Sequence, residues 1–545
     1  MKLVYRLTAA VFIVWLQTAE AAQSSATYAV ATANAAATDA GVEILAMGGS
    51  AADAAVAIQM VLCVVEPQSS GVGGGAIALY RDAQTRRMTA FDGLAKSPSA
   101  YDPGSASAAG FAHSGAAVGI PGTLRMLEVM HHHYGRLPWR DLFGPAIALA
   151  DRGFAVSPYL ARSLAASTRA GLKPPEWLTD GAGKPAGQGA QVRNPALAET
   201  LHAVAAHGAD AIYAGLAEQL VAAVQPGGRM TASDLTGYRT VEREPLCLAL
   251  RRATLCSFPP PSYGGVAVLE TIGILERTQA LAPSFFDLRF VHRFIEAGRI
   301  AEADRMNVVG DPDRGTVSVG RLLTPAHLMA QAKRIKDNAV MADPRGEDCV
   351  ASDQPPEPST SQISLVDRWG DALAMTTTIN VNFGSWLTVG GFFLNDAMTN
   401  FSLPAIEHCS ANAPAGGKRP ETAMAPMIAL DASNSVVLIG GSAGAGEIVD
   451  YVSQAAIALL AGEPPSLALD EGHVSTARAA YANTAGEVEL EPGRAIAQLG
   501  GRLAAMGHHV RIAALPSGTA FIVRRNGDWQ GAADPRRDGT FAASP

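Results

Sequence analysis

Apolar and polar positions along this chain change period several times, and each change marks an element. Residues 28–47 carry helical spacing and end at Gly48-Gly49. Ser50 then caps a second helix over Ala51 to Val65, stopped by Pro67. That helix is apolar except at Asp53 and Gln59, so burial on every side is expected. Gly71-Val72-Gly73-Gly74-Gly75 follows and runs into a strand, Ala76 to Tyr80. These glycines lack GxGxxG spacing and a following Lys-Ser/Thr pair, so close backbone packing is their expected role rather than phosphate binding. Val118-Gly119-Ile120-Pro121-Gly122 opens a helical region that reaches about residue 225. Residues 240–257 read as strands, and 266–340 as helices again. After about 360 come short strands and turns, a helix near 447–461, then strands with one helix. Helices and strands are interleaved, but the late strands form hairpins. An α+β fold of stacked antiparallel sheets flanked by helices is therefore expected.

One hairpin carries the candidate chemistry. Residues 360–366 alternate, Asp367-Arg368-Trp369-Gly370-Asp371 is a turn, and 372–380 alternate again. With Trp369 at the turn centre, Thr360 faces Thr378, Gln362 faces Thr376, and Ser364 faces Ala374. One face then carries Thr360, Thr378 and Asn380 among small side chains, with room for a substrate. The other carries Ile363, Leu365, Leu373, Met375 and Ile379, which is core. Thr is common in strands, so the pairing alone does not establish chemistry. Its position adds to the case. Thr360 follows a Pro-rich, acidic stretch, Asp353 to Pro358, that reads as an exposed linker open to cleavage. Scission between Ser359 and Thr360 would make Thr360 the first residue of a new chain. Its hydroxyl would be the nucleophile and its freed α-amine the base.

Composition narrows the alternatives. The chain has 545 residues, too many for one ordinary core, so two lobes or subunits are expected. Hydrophobic residues make up 48% and charged residues 17%, which excludes a disordered chain. The formal charge of −8, with no basic tract, argues against a nucleic-acid partner. Lys2 and Arg6, a ten-residue apolar run from Leu7 to Leu16, and Ala19-Glu20-Ala21 compose a secretory signal over residues 1–21. That run is too short to span a bilayer, so a periplasmic or secreted protein is expected, without a stable membrane span. Five widely spaced cysteines lack CxxC pairs and show no zinc pattern; Cys247 and Cys256 would pair if they lie on adjacent strands. His131-His132-His133 reads as a solvated helix face. No metal or organic cofactor is signalled.

Several ordered segments carry a resemblance. They are Gly48 to Ala55, Glu66-Pro67 through Gly75, Gly119 to Gly122, Pro259 to Gly265, Thr360 to Asp367, and Thr376 to Asn380. Further matches are Phe383-Gly384-Ser385, Leu394-Asn395-Asp396, Gly417 to Pro420, and Gly440 to Gly444. In these the chain resembles the γ-glutamyltranspeptidase (glutathione hydrolase) family of N-terminal-nucleophile hydrolases. The resemblance implies an αββα sandwich made as a precursor and cut before Thr360. Residues 22–359 would form the large subunit and 360–545 the small one, remaining together as a heterodimer. It also implies that Thr378 orients the nucleophile and that the backbone N–H groups of Gly444 and Ala445 form the oxyanion hole. The substrate would be a small amide or peptide, the acyl acceptor water or an amine.

The matched sequence departs from the family's pattern around the donor. An arginine that would hold the glutamyl α-carboxylate is Leu94, and the glutamate after it is Ala95. The aspartate expected to hold the α-ammonium is Asn400. Two expected serines are Thr422 and Ala423, a histidine is Gln362, and Asn380 is compatible. The nucleophile and its partners survive while both charged grips on the donor head are gone. Three functions remain open: a γ-glutamyltransferase or glutathione hydrolase, an acylase for a donor such as glutaryl or a cephalosporin-type amide, and a catalytically weak relative that only binds.

Overall fold

A computed structural model describes residues 27–544 apart from 108–109, 226, 279–286, 307, 316–317, 343–358, 403–409 and 478–486. The signal segment and the linker Asp353–Pro358 lie outside the described residues.

Two antiparallel sheets stack face to face. The first has seven strands, in the order Thr540–Ala543, Ala29–Thr32, Ser361–Val366, Ala372–Thr378, Gly75–Arg81, Met88–Gly93 and Val241–Arg243. The second has six: Asp528–Ala533, Ala520–Arg525, Val436–Gly441, Met427–Leu430, Thr254–Ser257 and Leu246–Ala249. Alternation along each strand divides the core into two. In Gly75–Arg81, Ile77 and Leu79 point between the sheets and join helices Tyr263–Arg277, Leu288–Met306 and Ile448–Ala461 in one cluster. Ala76, Ala78 and Tyr80 point the other way, against helices Ala35–Ala46, Ala51–Val65 and Thr123–Tyr134. The result is four layers, helix, sheet, sheet and helix.

Helix Ala51–Val65 is buried along its whole length and starts with a Ser50–Asp53 capping box. The helical reading from residue 28 is corrected: Ala29–Thr32 is a strand, paired on both sides, and the helix begins at Ala35. Three of its four residues are Ala or Thr, and such small side chains leave period two and period 3.6 indistinguishable. The expected hairpin register holds, with Gln362 opposite Thr376 and Ser364 opposite Ala374. The role given to the small-residue face needs correcting. Most of it packs on the second sheet rather than on a substrate. Ser364 Oγ donates to the Ala520 carbonyl at 2.8 Å, and a Cβ on Gly441 would lie 2.4 Å from Gln362 Oε1. Only the Thr360–Thr378–Asn380 end opens onto a cleft.

Cys247 and Cys256 are opposite one another on adjacent strands and joined by a disulfide. His132 and His133 are exposed on their helix. Among the described residues no helix is long and apolar enough to cross a membrane.

Candidate active site

The strand that follows the candidate nucleophile begins at Ser361, so Thr360 sits where the ladder ends and its side chain is released from cross-strand packing. Thr360 Oγ1 donates to Thr378 Oγ1 at 3.1 Å. Thr378 Oγ1 also accepts the Asn380 N–H at 2.8 Å, which fixes its lone pairs and its rotamer. The Thr360 carbonyl is held at 2.9 Å by the guanidinium of Arg537, which also donates to the carbonyls of Ser517 and Pro516. Thr360 has φ of 91°, a conformation that a β-branched residue adopts only at a cost of about 1–3 kcal/mol.

The Ser359–Thr360 peptide is not an exposed one. Ser359 is fully buried and its Oγ donates to the Gln68 carbonyl at 2.9 Å. Beside it, Glu66 Oε2 accepts from Ser361 Oγ at 2.6 Å, and Ser70 Oγ reaches the same hydroxyl at 3.2 Å. Burial pushes the Glu66 carboxyl up to about 7, against the lowering effect of the Ser361 bond and of Arg537. Gly74 lies against Thr378: a Cβ there would be 2.2 Å from the Thr378 carbonyl. Close packing is thus what the Gly71–Gly75 run supplies.

The cleft holds about 290 Å³, and its walls include Thr360, Thr378, Asn380, Asn400, Thr422, Ala423 and Ala445. A side pocket beyond Thr378 is walled by Leu94, Ala95, Ala397 and Pro420, with Asn380, Asn400, Thr422 and Glu421 around them. Every substrate-contact candidate read from the sequence therefore converges here. The arginines nearest to Leu94 on the preceding strand and turn, Arg81, Arg86 and Arg87, do not. Arg86 and Arg87 are exposed in the hairpin turn at the far end of strand Gly75–Arg81, and Arg81 donates to the Asn434 carbonyl. A different arginine, Arg305, lines the cleft. It is paired with Glu421 at 2.7 Å and with Glu302, and stacks 3.7 Å over the Tyr263 ring. Asp396, buried in the cleft wall, accepts the Val381 N–H, and burial pushes its carboxyl up to about 7. Gln362 points away from the cleft and accepts from Thr376 Oγ1 at 2.7 Å.

Gly444 and Ala445 enter helix Ile448–Ala461 through one 3₁₀ turn, with φ of 135° and 54°. Ala445 and Gly446 face the cleft, where the turn places N–H groups at the positive end of a helix. The positive φ means that Ala445 occupies a backbone position that favours glycine.

Sequence reasoning missed Glu66, Arg537 and Arg305. Glu66 lay inside a matched segment but was not read as a chemical group. Arg537 and Arg305 are far from Thr360 in sequence and carry no local signal.

A strand-end threonine on an αββα sandwich, facing a cleft and hydrogen-bonded to a second threonine, defines an enzyme of the N-terminal-nucleophile hydrolase class. Comparison with known proteins gives the family. The profile of the gamma-glutamyltranspeptidases matches residues 37–544, and this chain belongs to that family. It is 30% identical to the glutathione hydrolase proenzyme of Bacillus subtilis (94% of this chain, 90% of that one). Identity to the Escherichia coli proenzyme is 33%, over 78% of this chain and 76% of that one. Among solved structures, a cephalosporin acylase from Bacillus halodurans superposes with a TM-score of 0.82 at 25% identity, covering 99% of this chain and 98% of that one. The Helicobacter pylori gamma-glutamyltranspeptidase gives 0.52 at 28% identity, over 57% and 94%.

Proposed function

We propose that this protein is an exported, self-processing acyl-amide hydrolase whose donor lacks the ammonium–carboxylate head of a γ-glutamyl group. The side pocket carries the proposal. Among the described residues Glu421 is the one charged group in its walls, and that carboxylate is already paired with Arg305. Leu94 and Asn400 stand where the family holds the two charges of the donor. A hydrogen bond to a charged group contributes roughly 1.5–3 kcal/mol, so a γ-glutamyl donor loses about 3–6 kcal/mol here, roughly 10²- to 10⁴-fold. The likeness to a cephalosporin acylase over nearly the whole chain supports the same reading.

Activation starts within the precursor. Thr360 Oγ1 attacks the Ser359 carbonyl, its proton passing to the departing nitrogen, and the peptide becomes an ester. Water then hydrolyses the ester, releasing the Ser359 carboxylate and the Thr360 amine. The backbone strain at Thr360 favours this step, because φ ceases to be constrained once the preceding residue is gone. In turnover the freed amine, with an ordinary pKa near 7.7–8.0, takes the hydroxyl proton as Oγ1 attacks the substrate carbonyl. Thr378 orients the hydroxyl, and the N–H groups of Gly444 and Ala445 receive the oxyanion. The proton passes to the leaving amine, and water resolves the acyl-enzyme.

Intact mass spectrometry of secreted protein tests processing. Wild type should yield chains of 338 and 186 residues, and Thr360→Ala a single uncut chain. A wild type that stays whole would instead make it a binding relative. Parallel hydrolysis of γ-glutamyl, glutaryl and unsubstituted acyl anilides tests specificity, and preference for γ-glutamyl overturns the proposal. That outcome would favour the second reading, a glutathione hydrolase like the named relatives.

A further inference from the structure

Behind the cleft, three helices bring together ligand groups that the hydrolytic chemistry does not use. Glu270 lies in the middle of Tyr263–Arg277, Asp304 near the end of Leu288–Met306, and His327 in the first turn of Pro325–Ala332. His327 Nε2 is 2.7 Å from Glu270 Oε1 and 3.2 Å from Asp304 Oδ2. One oxygen from each carboxylate and the imidazole nitrogen all lie within 4.8 Å of one another.

Two observations separate this cluster from an ordinary surface ion pair. Glu270 is fully buried, and its second oxygen, Oε2, has no donor among the described residues. The donors around the other two groups are accounted for. Gln331 Nε2 donates to Asp304 Oδ2 at 3.0 Å, and the Gln331 carbonyl oxygen is taken by Arg334 at 2.6 Å. Arg305, adjacent to Asp304, is committed to Glu302 and Glu421. Apart from the Gln331 amide, the two carboxylates face a single ring nitrogen, and Glu270 Oε2 is the oxygen left without a donor among the described residues. Ligands about 2.0–2.2 Å from a tetrahedral ion stand roughly 3.3–3.6 Å apart, so the His327–Glu270 pair at 2.7 Å and the His327–Asp304 pair at 3.2 Å would each open by less than about 1 Å to admit one.

We propose that Glu270, Asp304 and His327 bind one divalent transition-metal ion, zinc or manganese, through an NO₂ ligand set. His327 and Asp304 are about one-quarter exposed, which leaves a side open for water as a further ligand. The ion would cross-link three helices that already pack in one core cluster. Glu270 lies seven residues beyond Tyr263, about 10 Å along a helix whose first residue lines the cleft, and Asp304 adjoins Arg305 in the cleft wall. The role is structural: the site holds the back of the substrate cleft in place.

Titration calorimetry of tag-free, chelator-treated protein with zinc chloride, repeated with manganese chloride, tests the site. Wild type should bind one ion, and its melting temperature should rise by a few degrees. His327→Gln and Asp304→Asn should each weaken binding tenfold or more and lose the thermal shift while still undergoing self-cleavage. The two variants guard against one of them failing to fold. Absence of binding to wild type, or binding that both variants retain unchanged, overturns the site. Either outcome leaves the reading of the Thr360 centre untouched.

Discussion

Ala445 shows how much a single residue can reveal. The sequence places an alanine beside Gly444, and its N–H is all that the proposed oxyanion hole requires. The structure adds that this residue sits at φ 54°, where a Cβ costs roughly 1 kcal/mol. Ala445→Gly is therefore expected to raise stability by about 1 kcal/mol, read as a higher urea midpoint, with turnover kept. A lower midpoint would show that the helix entry tolerates alanine without strain. At the side pocket proposed to take the donor the reverse experiment is available. Leu94→Arg combined with Asn400→Asp restores the two charges, and the γ-glutamyl-to-acyl ratio of kcat/KM should climb at least tenfold. An unmoved ratio would mean that specificity lies elsewhere in the cleft.

At the scale of elements, strand Ser361–Val366, next to the proposed nucleophile, is anchored by Glu66 through Ser361. The carboxyl is fully buried and titrates near 7, compared with an ordinary 4.5. Between those values the folded protein keeps a proton that the unfolded chain has lost. Its contribution to stability is therefore complete below pH 4.5 and disappears as pH rises through 7. The span corresponds to about 3 kcal/mol, as an order of magnitude. Glu66→Gln should remove this dependence, so its stability relative to wild type should be greater at pH 8 than at pH 5 in urea titrations. A pH-independent difference between the two proteins would place the titration on another group. The hairpin itself was legible because period-two alternation around one turn permits one register. The strand Ala29–Thr32 was not, since alanines fit either period and only pairing with Ser361–Val366 and Thr540–Ala543 selects the extended form.

For the molecule as a whole, the proposed cut falls inside an unbroken sheet. Ser361–Val366 is hydrogen-bonded on one side to Ala29–Thr32 from the large segment and on the other to Ala372–Thr378 from the small one. The second sheet mixes the halves in the same way, with Thr254–Ser257 against Met427–Leu430. The processed chains should therefore co-elute in native size-exclusion chromatography and separate only in denaturant. Separation under native conditions would contradict this packing. Burial of the Ser359–Thr360 bond also makes scission unimolecular, so its rate should not vary with protein concentration.

The sequence by itself determined the layered α+β class, the hairpin register, the threonine at its open end and which residues stand at the positions matched to the family's donor contacts. These follow from local periodicity and from residue types at matched positions, and they need no knowledge of distant contacts. Tertiary structure alone decided which arginine reaches the cleft, that Glu66 and Arg537 flank Thr360, and that three helices gather two carboxylates around His327. Those groups are tens to hundreds of residues apart in sequence. Nothing short of the folded layers brings them within hydrogen-bonding distance.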